Sequence, residues 1–486
     1  MFLQDSSFPD SWKEAIFGKL NQLLVNHYKF NQPFILGITL VSAMGGLLFG
    51  YDWVVIGGAK PFYERFFDIA SSPHLQGWAM SSALVGCLFG AVSSGYLAER
   101  FGRKIPLLVA AALFTLSAFG TGMADQFTPF VFYRLIGGLG IGLASAISPM
   151  YIAEISPAAI RGRLVSVNQL TIVIGILAAQ SVNYFIAEAI PAGASDADIL
   201  HSWNGQMGWR WMFWAELVPA SLFFFLAFLI PESPRYLVKK GNLSKAKSIL
   251  SLIGGDAYAA EEEKNIEQNI KAIPAKVEVK ELFSHKMKPV LILGIVLAVF
   301  QQWCGINVIF NYAEEIFTAA GYSVGDMLFN IIIITGAVNL VFTLLAMTVV
   351  DSWGRRKLMI LGSSGLAVIY FILGGSYILE LQGFIVLILV LLAIATYAMT
   401  LAPITWVVLS EIFPNRLRGA AMAVATTALW SACFVLTYTF PILNDLLKAG
   451  GTFWLYAFIC LSGFLFIWKK LPETKGKSLE EIESNF

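Results

Sequence analysis

Charged side chains are scarce in this sequence. They make up 13% of its 486 residues, against roughly 25% in soluble globular proteins, while apolar residues make up 57% and the mean hydropathy is +0.69. So few charges cannot coat a surface that faces water, which excludes an ordinary soluble domain. The two signs nearly cancel, leaving a net charge of +1, and this argues against nucleic acid as a partner.

Cysteine and histidine are rare as well, with four residues of each. The cysteines all lie in apolar stretches, so no disulfide framework is expected. The histidines lie outside the long apolar segments, which excludes a histidine proton relay within them. Those segments also contain no histidine-based metal cluster and no nucleophile elbow, so we expect neither a metal or cofactor nor an enzymatic activity.

Long apolar segments dominate the chain instead. A helix that crosses the hydrocarbon layer needs about 20 mostly apolar residues. The sequence predicts twelve such segments, at 34–58, 76–98, 105–123, 127–153, 164–187, 211–230, 289–313, 327–350, 358–379, 383–410, 419–441 and 449–468. The longest polar interruption, 232–288, separates the first six segments from the last six. Its pieces 243–254 and 260–273 predict short amphipathic helices, which form either a solvated linker or a cytoplasmic gate.

The positions of lysine and arginine predict the orientation, because positively charged loops stay in the cytoplasm. Most of the 33 fall at the two termini, in the linker and in alternate loops. The opposite side holds only Lys60, Arg65, Arg210 and Lys448. We therefore expect a multi-pass protein of the cell membrane with both termini cytoplasmic, and the N-terminal segment shows no cleaved signal peptide. The predicted organisation is a cytoplasmic segment, a six-helix half, a cytoplasmic helical linker, a second six-helix half and a cytoplasmic tail, at 1–33, 34–231, 232–288, 289–470 and 471–486.

Short motifs recur at matching places in the two halves. RFGRK (100–104) corresponds to SWGRRK (352–357), AEISPAAIRGR (153–163) to SEIFPNRLRGA (410–420), and PESPR (231–235) to PETKG (472–476). A parallel six-plus-six duplication is the layout of major facilitator transporters, whose halves rock about a site near the membrane midplane. The predicted fold class is therefore an all-α membrane protein with the major facilitator fold and 12 transmembrane helices.

Ten motifs follow one another along the chain. They are GGLLFGYD (45–52), GYLAERFGRK (95–104), RLIGGLGIG from Arg134, PMYIAEISPAAIRG (149–162), Gln169, PESPR, QQWCGIN (301–307), VVDSWGRRK (349–357), PITWVVLSEIFP (403–414) and PETKG. Together they resemble the signatures of the sugar porter family of the major facilitator superfamily. The likeness is strongest to bacterial D-xylose/proton symporters and weaker to facilitative glucose transporters.

Three charged residues interrupt the apolar segments of the N-terminal half. Asp52 lies in the first segment, where a carboxylate at the bilayer centre costs about 2.5–3.5 kcal/mol. Arg134, in the fourth, is the only basic residue within these six segments and so the natural partner. The pair is either a static tie between helices or a protonation switch. The resemblance implies the second, because the matching residues couple sugar to proton in such porters. Glu216, in the sixth segment, is a weaker candidate.

A sugar site needs amides that pair with hydroxyls and aromatic faces that cover C–H surface. Gln301, Gln302 and Asn307 fall close together in the seventh segment, but an ideal helix would spread them around its circumference. Gly305 permits the local unwinding that would bring them together. The resemblance adds Gln169, Trp406 and Trp430 to the sugar site and assigns Tyr312 to an outer gate.

The substrate stays open between pentose and hexose. Compared with the xylose symporters, the pocket has Ile176 and Leu429 where they carry glutamines, Asn311 in place of a tyrosine and Ala402 in place of a glycine. The resemblance implies proton-coupled symport of a monosaccharide, such as D-xylose or D-glucose, into the cell by alternating access. A facilitative uniporter and a polyol/proton symporter are the alternatives. A sugar sensor would need a longer segment after Lys470. The implied partners are the monosaccharide, a proton and the lipid bilayer, and we expect a monomer.

Charged motifs flank the cytoplasmic ends of the predicted segments. They set topology through their positive charge. In the family they also form a latch of ion pairs, closed inside and broken as the halves rock. The residues matching this latch are Glu99, Arg100, Arg103, Glu154, Arg161, Glu232, Asp351, Arg355, Arg356, Glu411, Arg418 and Glu473.

Overall fold

The computed structural model describes residues 28–158, 160–191, 194–272, 279–285, 287–321, 332–381, 383–414 and 417–474. Within these ranges every regular element is a helix. The N-terminal half comprises α1 (Gln32–Phe66), α2 (Pro73–Phe101), α3 (Lys104–Met123), α4 (Phe127–Ile155), α5 (Arg161–Ile186), α6 (Asp196–His201), a π-helical turn (Asn204–Gly208), α7 (Trp209–Trp214) and α8 (Leu217–Ala227).

The linker and the C-terminal half follow. The linker contains α9 (Pro234–Lys239), α10 (Leu243–Ala272) and a 3₁₀ turn (Val279–Phe283). The C-terminal half contains α11 (Met287–Trp303), α12 (Ile306–Asn311), α13 (Ala313–Thr318), α14 (Ile332–Trp353), α15 (Arg355–Ile378), α16 (Phe384–Met399), α17 (Leu401–Ile412) and α18 (Arg418–Lys470).

The predicted apolar segments fall on these helices. Among the described residues, ten helical stretches are long and apolar enough to cross a membrane, and Ile334–Val349 adds a shorter one. The longest, α18, has 53 residues and would be about 80 Å long if straight. It turns at Lys448, where φ is 58°, and so supplies the last two predicted segments. Residues 327–331, at the start of the eighth, lie outside the described residues.

Helices α1 and α5 cross at close range within the N-terminal half. A Cβ on Gly50 would lie 1.9 Å from the Ile172 carbonyl oxygen, and one on Gly175 would lie 2.0 Å from that of Leu47. Only glycine permits backbones to approach this closely. The crossing fixes the part of α1 that carries Asp52.

The linker packs against the N-terminal half. Gly255, with φ of 84°, divides α10 into two helical pieces, as the sequence predicts. Leu250 and Ile253 are buried in one apolar cluster with Ile35 of α1 and Leu164 of α5. The apolar faces of these helices therefore have a partner, and the choice between a solvated linker and a cytoplasmic gate stays open. We call the end of the bundle where the linker packs the linker end, and the opposite end the far end.

Candidate functional site

Asp52 and Arg134 form a buried ion pair between α1 and α4. Their relative exposures are 1% and 2%. Arg134 donates from Nη1 to Asp52 Oδ1, and from Nη2 to the Asp52 carbonyl oxygen at 3.4 Å. Within the described residues Asp52 Oδ2 accepts no hydrogen bond. One carboxylate oxygen is thus held by the guanidinium, and the other is available to a proton.

Glu216 lies beside this pair, in the turn between α7 and α8. It is 1% exposed, and the charges of Asp52 and Arg134 both act on it. The sequence places this residue near the outer end of its segment and ranks it low, whereas the fold buries it against the candidate proton site. A second buried carboxyl group therefore lies within electrostatic range of the Asp52–Arg134 pair.

The amides of the seventh segment converge where its helix breaks. Gly305 has φ of 85° and separates α11 from α12, so the unwinding predicted at this glycine is found. Asn307 Nδ2 donates to Gln302 Oε1 at 2.5 Å, and Gln302 Nε2 donates to Gln301 Oε1 at 3.2 Å. Gln301 Nε2 donates in turn to the Ala402 carbonyl oxygen at 3.3 Å. The three amides form one chain of hydrogen bonds that a sugar hydroxyl can join.

Aromatic rings from both halves meet near these amides. The Trp430 ring of α18 lies 5.8 Å from that of Phe49 and 6.1 Å from that of Trp53, both on α1. Cys433, one turn along α18, lies 3.6 Å from Asn307 Nδ2. Sequence reasoning finds Trp430 but misses Phe49 and Trp53. Phe49 and Trp53 both lie close to Asp52 in the sequence, and aromatic residues near an intramembrane acid are the signal that points to them.

Gln169 and Trp406 make no hydrogen bond to these amides among the described residues. Gln169 of α5 is half-buried, and Trp406 of α17 is 36% exposed. Hydrogen bonds therefore join three of the six predicted sugar-site residues, and the places of Gln169, Trp406 and Trp430 in a sugar site stay predictions.

The two halves contact each other at the far end of the bundle. Within the C-terminal half, Tyr312 is fully buried there, and its hydroxyl donates to the Thr437 carbonyl oxygen of the same half at 2.6 Å. Gln180 Nε2 of α5 donates to Thr335 Oγ1 of α14 at 3.3 Å. The backbones also touch, since a Cβ on Gly57 of α1 would lie 2.7 Å from the Phe310 carbonyl oxygen. The path between the halves is therefore shut at this end.

The charged motifs lie at the linker end and form two equivalent clusters. In the N-terminal half, Arg103 Nη2 pairs with Glu154 Oε1 at 2.8 Å, and the Arg103 backbone N–H donates to Glu232 Oε1 at 2.8 Å. In the C-terminal half, Arg355 Nη2 pairs with Glu411 Oε1 at 3.0 Å, and its backbone N–H donates to Glu473 Oε1 at 2.9 Å. The sequence repeats are thus structural repeats as well.

The remaining latch residues make contacts within their own half or with the linker. Burial raises the pKa of Glu262 in α10, and the positive charge of Arg161 opposes that rise. The side chain of Asp351 lies outside the described residues. Glu99 pairs with Lys239 of the linker at 3.7 Å, and Arg100 donates to the Tyr96 hydroxyl. Three arginines donate to carbonyl oxygens of their own half: Arg161 Nη2 to Ser156 at 3.4 Å, Arg356 Nη2 to Trp468 at 2.6 Å, and Arg418 Nε to Phe413 at 3.2 Å.

Known proteins are similar to this chain in sequence and in fold. Residues 38–486 match the family model described as Sugar (and other) transporter. The chain is 40% identical to the D-xylose-proton symporter of Escherichia coli (strain K12), over 94% of this chain and 96% of that protein. It is 39% identical to the arabinose-proton symporter of Bacillus subtilis (strain 168), over 93% and 94% respectively. The solved inward-open structure of the xylose transporter XylE from E. coli matches with a TM-score of 0.80 and 38% identity, covering 93% of this chain and all of that one.

Fold and site together define a membrane transporter with the major facilitator fold, as the sequence predicts. The chain belongs to the sugar transporter family. The resemblance drawn from the ten motifs is thereby confirmed.

Proposed function

We propose that this protein carries a monosaccharide into the cell together with a proton, by alternating access. The observation that carries the proposal is the position of α1. One face of this helix holds Asp52 against Arg134 of the same half, while Phe49 and Trp53 meet Trp430 of the other half. A change in the charge of Asp52 therefore acts on the helix that also lines the sugar site.

The proton and the sugar would act on α1 in turn. When Asp52 takes up a proton, its attraction to Arg134 falls and α1 is released from α4. Sugar bound between the amides of α11–α12 and the rings of α1 then draws the halves together. Loss of the proton restores the ion pair, which returns the empty carrier to its starting state. Proton and sugar thus move together because each biases the same helix.

The surroundings of the protein follow from its charge distribution and its fold. In our proposal it acts as a monomer in the lipid bilayer of the cell membrane, with the linker end and both termini in the cytoplasm. The latch motifs then lie at the inner surface, and the closed far end faces outward.

A sugar panel in proteoliposomes tests the proposal. Uptake of D-xylose, L-arabinose, D-glucose and a polyol is measured with equal and unequal pH across the membrane. Proton-coupled symport predicts accumulation above the external concentration only under an inward proton gradient. Uptake that merely equilibrates would identify a uniporter, and accumulation of the polyol alone would identify a polyol symporter.

The latch gives a separate prediction through Arg161. Glu411 is already paired with Arg355 here, so removing Glu411 would disturb more than one state. Arg161 is exposed in this structure, where its contacts contribute little to stability. If it pairs with the opposite half when the linker end closes, Arg161→Gln should destabilise only that closed state. We expect a larger mean separation of the halves at the linker end and several-fold slower net uptake.

Distances between spin labels at the linker end check this expectation, with uptake measured on the same samples. Arg163→Gln is the matched control, since it removes an equally exposed arginine two positions away. Slower uptake in Arg161→Gln with an unchanged distance distribution would assign Arg161 to topology and remove it from the latch.

A further inference from the structure

A second cluster of buried charges lies at the far end, where α1 meets α13. Lys60 Nζ is 2.6 Å from Glu315 Oε1 and 2.9 Å from Glu64 Oε2. The side chains of Lys60 and Glu64 are 2% and 4% exposed, and that of Glu315 is 21% exposed. The sequence predicts Lys60 outside the membrane segments, and no contact of Lys60 tests that prediction. The structure shows that α1 continues past Lys60 to Phe66 and buries its side chain.

This cluster spans the seam between the two halves. Lys60 and Glu64 lie one turn apart on α1, whereas Glu315 belongs to the C-terminal half. Lys60 Nζ also lies 5.8 Å from the ring centre of Tyr312, the predicted outer-gate residue. Gln76 of α2 donates to Glu64 Oε2 at 3.3 Å. An ion pair from Lys60 to Glu315 therefore exists only while the halves are together at this end.

Burial makes the pair sensitive to the state of the gate. Attraction between charges that are removed from water is strong, and losing one partner leaves the other buried and unpaired. When the far end opens, Lys60 and Glu315 separate and water solvates both. Glu64 stays on the same helix as Lys60 and can remain its partner, which lowers the cost of opening.

We propose that Lys60 and Glu315 form the ionic lock of the outer gate, made when the far end closes and broken when it opens, with Glu64 as the partner that Lys60 keeps. The proposal rests on alternating access as the proposed function. It adds a link to the sugar site, because the short helix α12, which carries Asn307, leads to Tyr312 and then to α13, which carries Glu315. Sugar that moves Asn307 therefore acts on the lock through two short consecutive helices.

Spin-label distances across the far end test the lock in the full-length protein reconstituted in lipid. Labels at Ser71→Cys and Leu446→Cys place one probe on each half, since both positions are exposed. The four native cysteines are buried and are replaced by alanine or serine in all samples. Glu315→Gln keeps the size of the side chain, and Lys60→Met leaves two carboxylates facing each other. We expect each to raise the ratio of far-end-open to closed populations by roughly tenfold or more.

The charge swap Lys60→Glu with Glu315→Lys is the decisive sample. It conserves the net charge of the cluster and places a lysine between two carboxylates again, so it should restore most of the closed population. Lys448→Met is the matched control at the same end, because Lys448 pairs with Asp445 at 3.7 Å while 80% exposed. Its distances should equal those of the unmodified protein.

Two results would overturn the lock. One is an unchanged distance distribution in Glu315→Gln and Lys60→Met. The other is a charge swap whose far-end-open population is no lower than that of Glu315→Gln, since no attraction across the gate would then exist. Uptake by the unmodified protein is measured in parallel. Absence of any sugar uptake there would refute the proposed function, whereas unchanged distances with normal uptake would refute only the lock.

Discussion

Asp52→Asn is expected to abolish accumulation of sugar driven by a pH gradient. Asparagine matches the size of aspartate but neither carries its negative charge nor gains a proton in its place. Arg134, which is only 2% exposed, then loses its ion pair with Asp52, and α1 loses the interaction that a proton would switch. Because rocking of the halves does not itself require the proton, exchange of sugar for sugar should persist at a reduced rate. The ratio of internal to external sugar should fall to about one.

Proteoliposomes with an imposed pH gradient measure this ratio directly. Asp125→Asn serves as the control, since it removes a carboxylate that pairs with Arg210 at 2.8 Å in the same half but is 85% exposed. Its accumulation should match that of the unmodified protein. Uphill accumulation that survives in Asp52→Asn would refute the assignment. If Glu216→Gln alone abolished it, the coupling proton would belong to the neighbouring carboxyl group.

The fold is largely predictable because its main determinants are local. Apolar length fixes where helices cross the membrane, and the break at Gly305 follows from a residue that tolerates positive φ. The packing of the linker cannot be predicted from the sequence in the same way. Its amphipathic helices predict an apolar face but not which surface covers it, and Leu250 and Ile253 find that surface on α1 and α5 only in three dimensions.

The candidate site also has residues that can be predicted from the sequence and residues that cannot. Asp52 and Arg134 can be paired from sequence because ionisable residues are so few in the apolar segments that the choice of partner is small. Trp53 cannot be found this way, since its contact with Trp430 depends on how α1 is rotated about its axis and on how the halves meet. The continuation of α1 past Lys60 is hard to predict for a related reason. A charge marks the end of an apolar run, but the helix continues past it when a partner such as Glu315 compensates the charge.

Asn307→Ala is expected to weaken sugar binding by roughly tenfold or more. Its amide stands at the open end of the chain formed with Gln302 and Gln301, and donates to Gln302 Oε1. In the proposed site, alanine removes the amide that pairs with a sugar hydroxyl, and it also leaves Oε1 of Gln302, a residue only 8% exposed, without its donor. Leaving a buried polar group unsatisfied costs about 1–3 kcal/mol, and every 1.4 kcal/mol is about tenfold in affinity.

Calorimetric titration of Asn307→Ala, Gln302→Ala and the double variant measures this loss. If the two amides act as one unit, the double variant should lose clearly less than the sum of the two single losses, because the first substitution already disrupts the chain. Gln206→Ala is the control, since Gln206 is an exposed amide far from the helix break. Full affinity in folded Asn307→Ala would move the sugar site away from α12, and additive losses would show that the amides bind independently. If the double variant instead loses less affinity than the sum of the single losses, the two amides bind the sugar as one unit. The break at Gly305 then brings these amides onto one ligand.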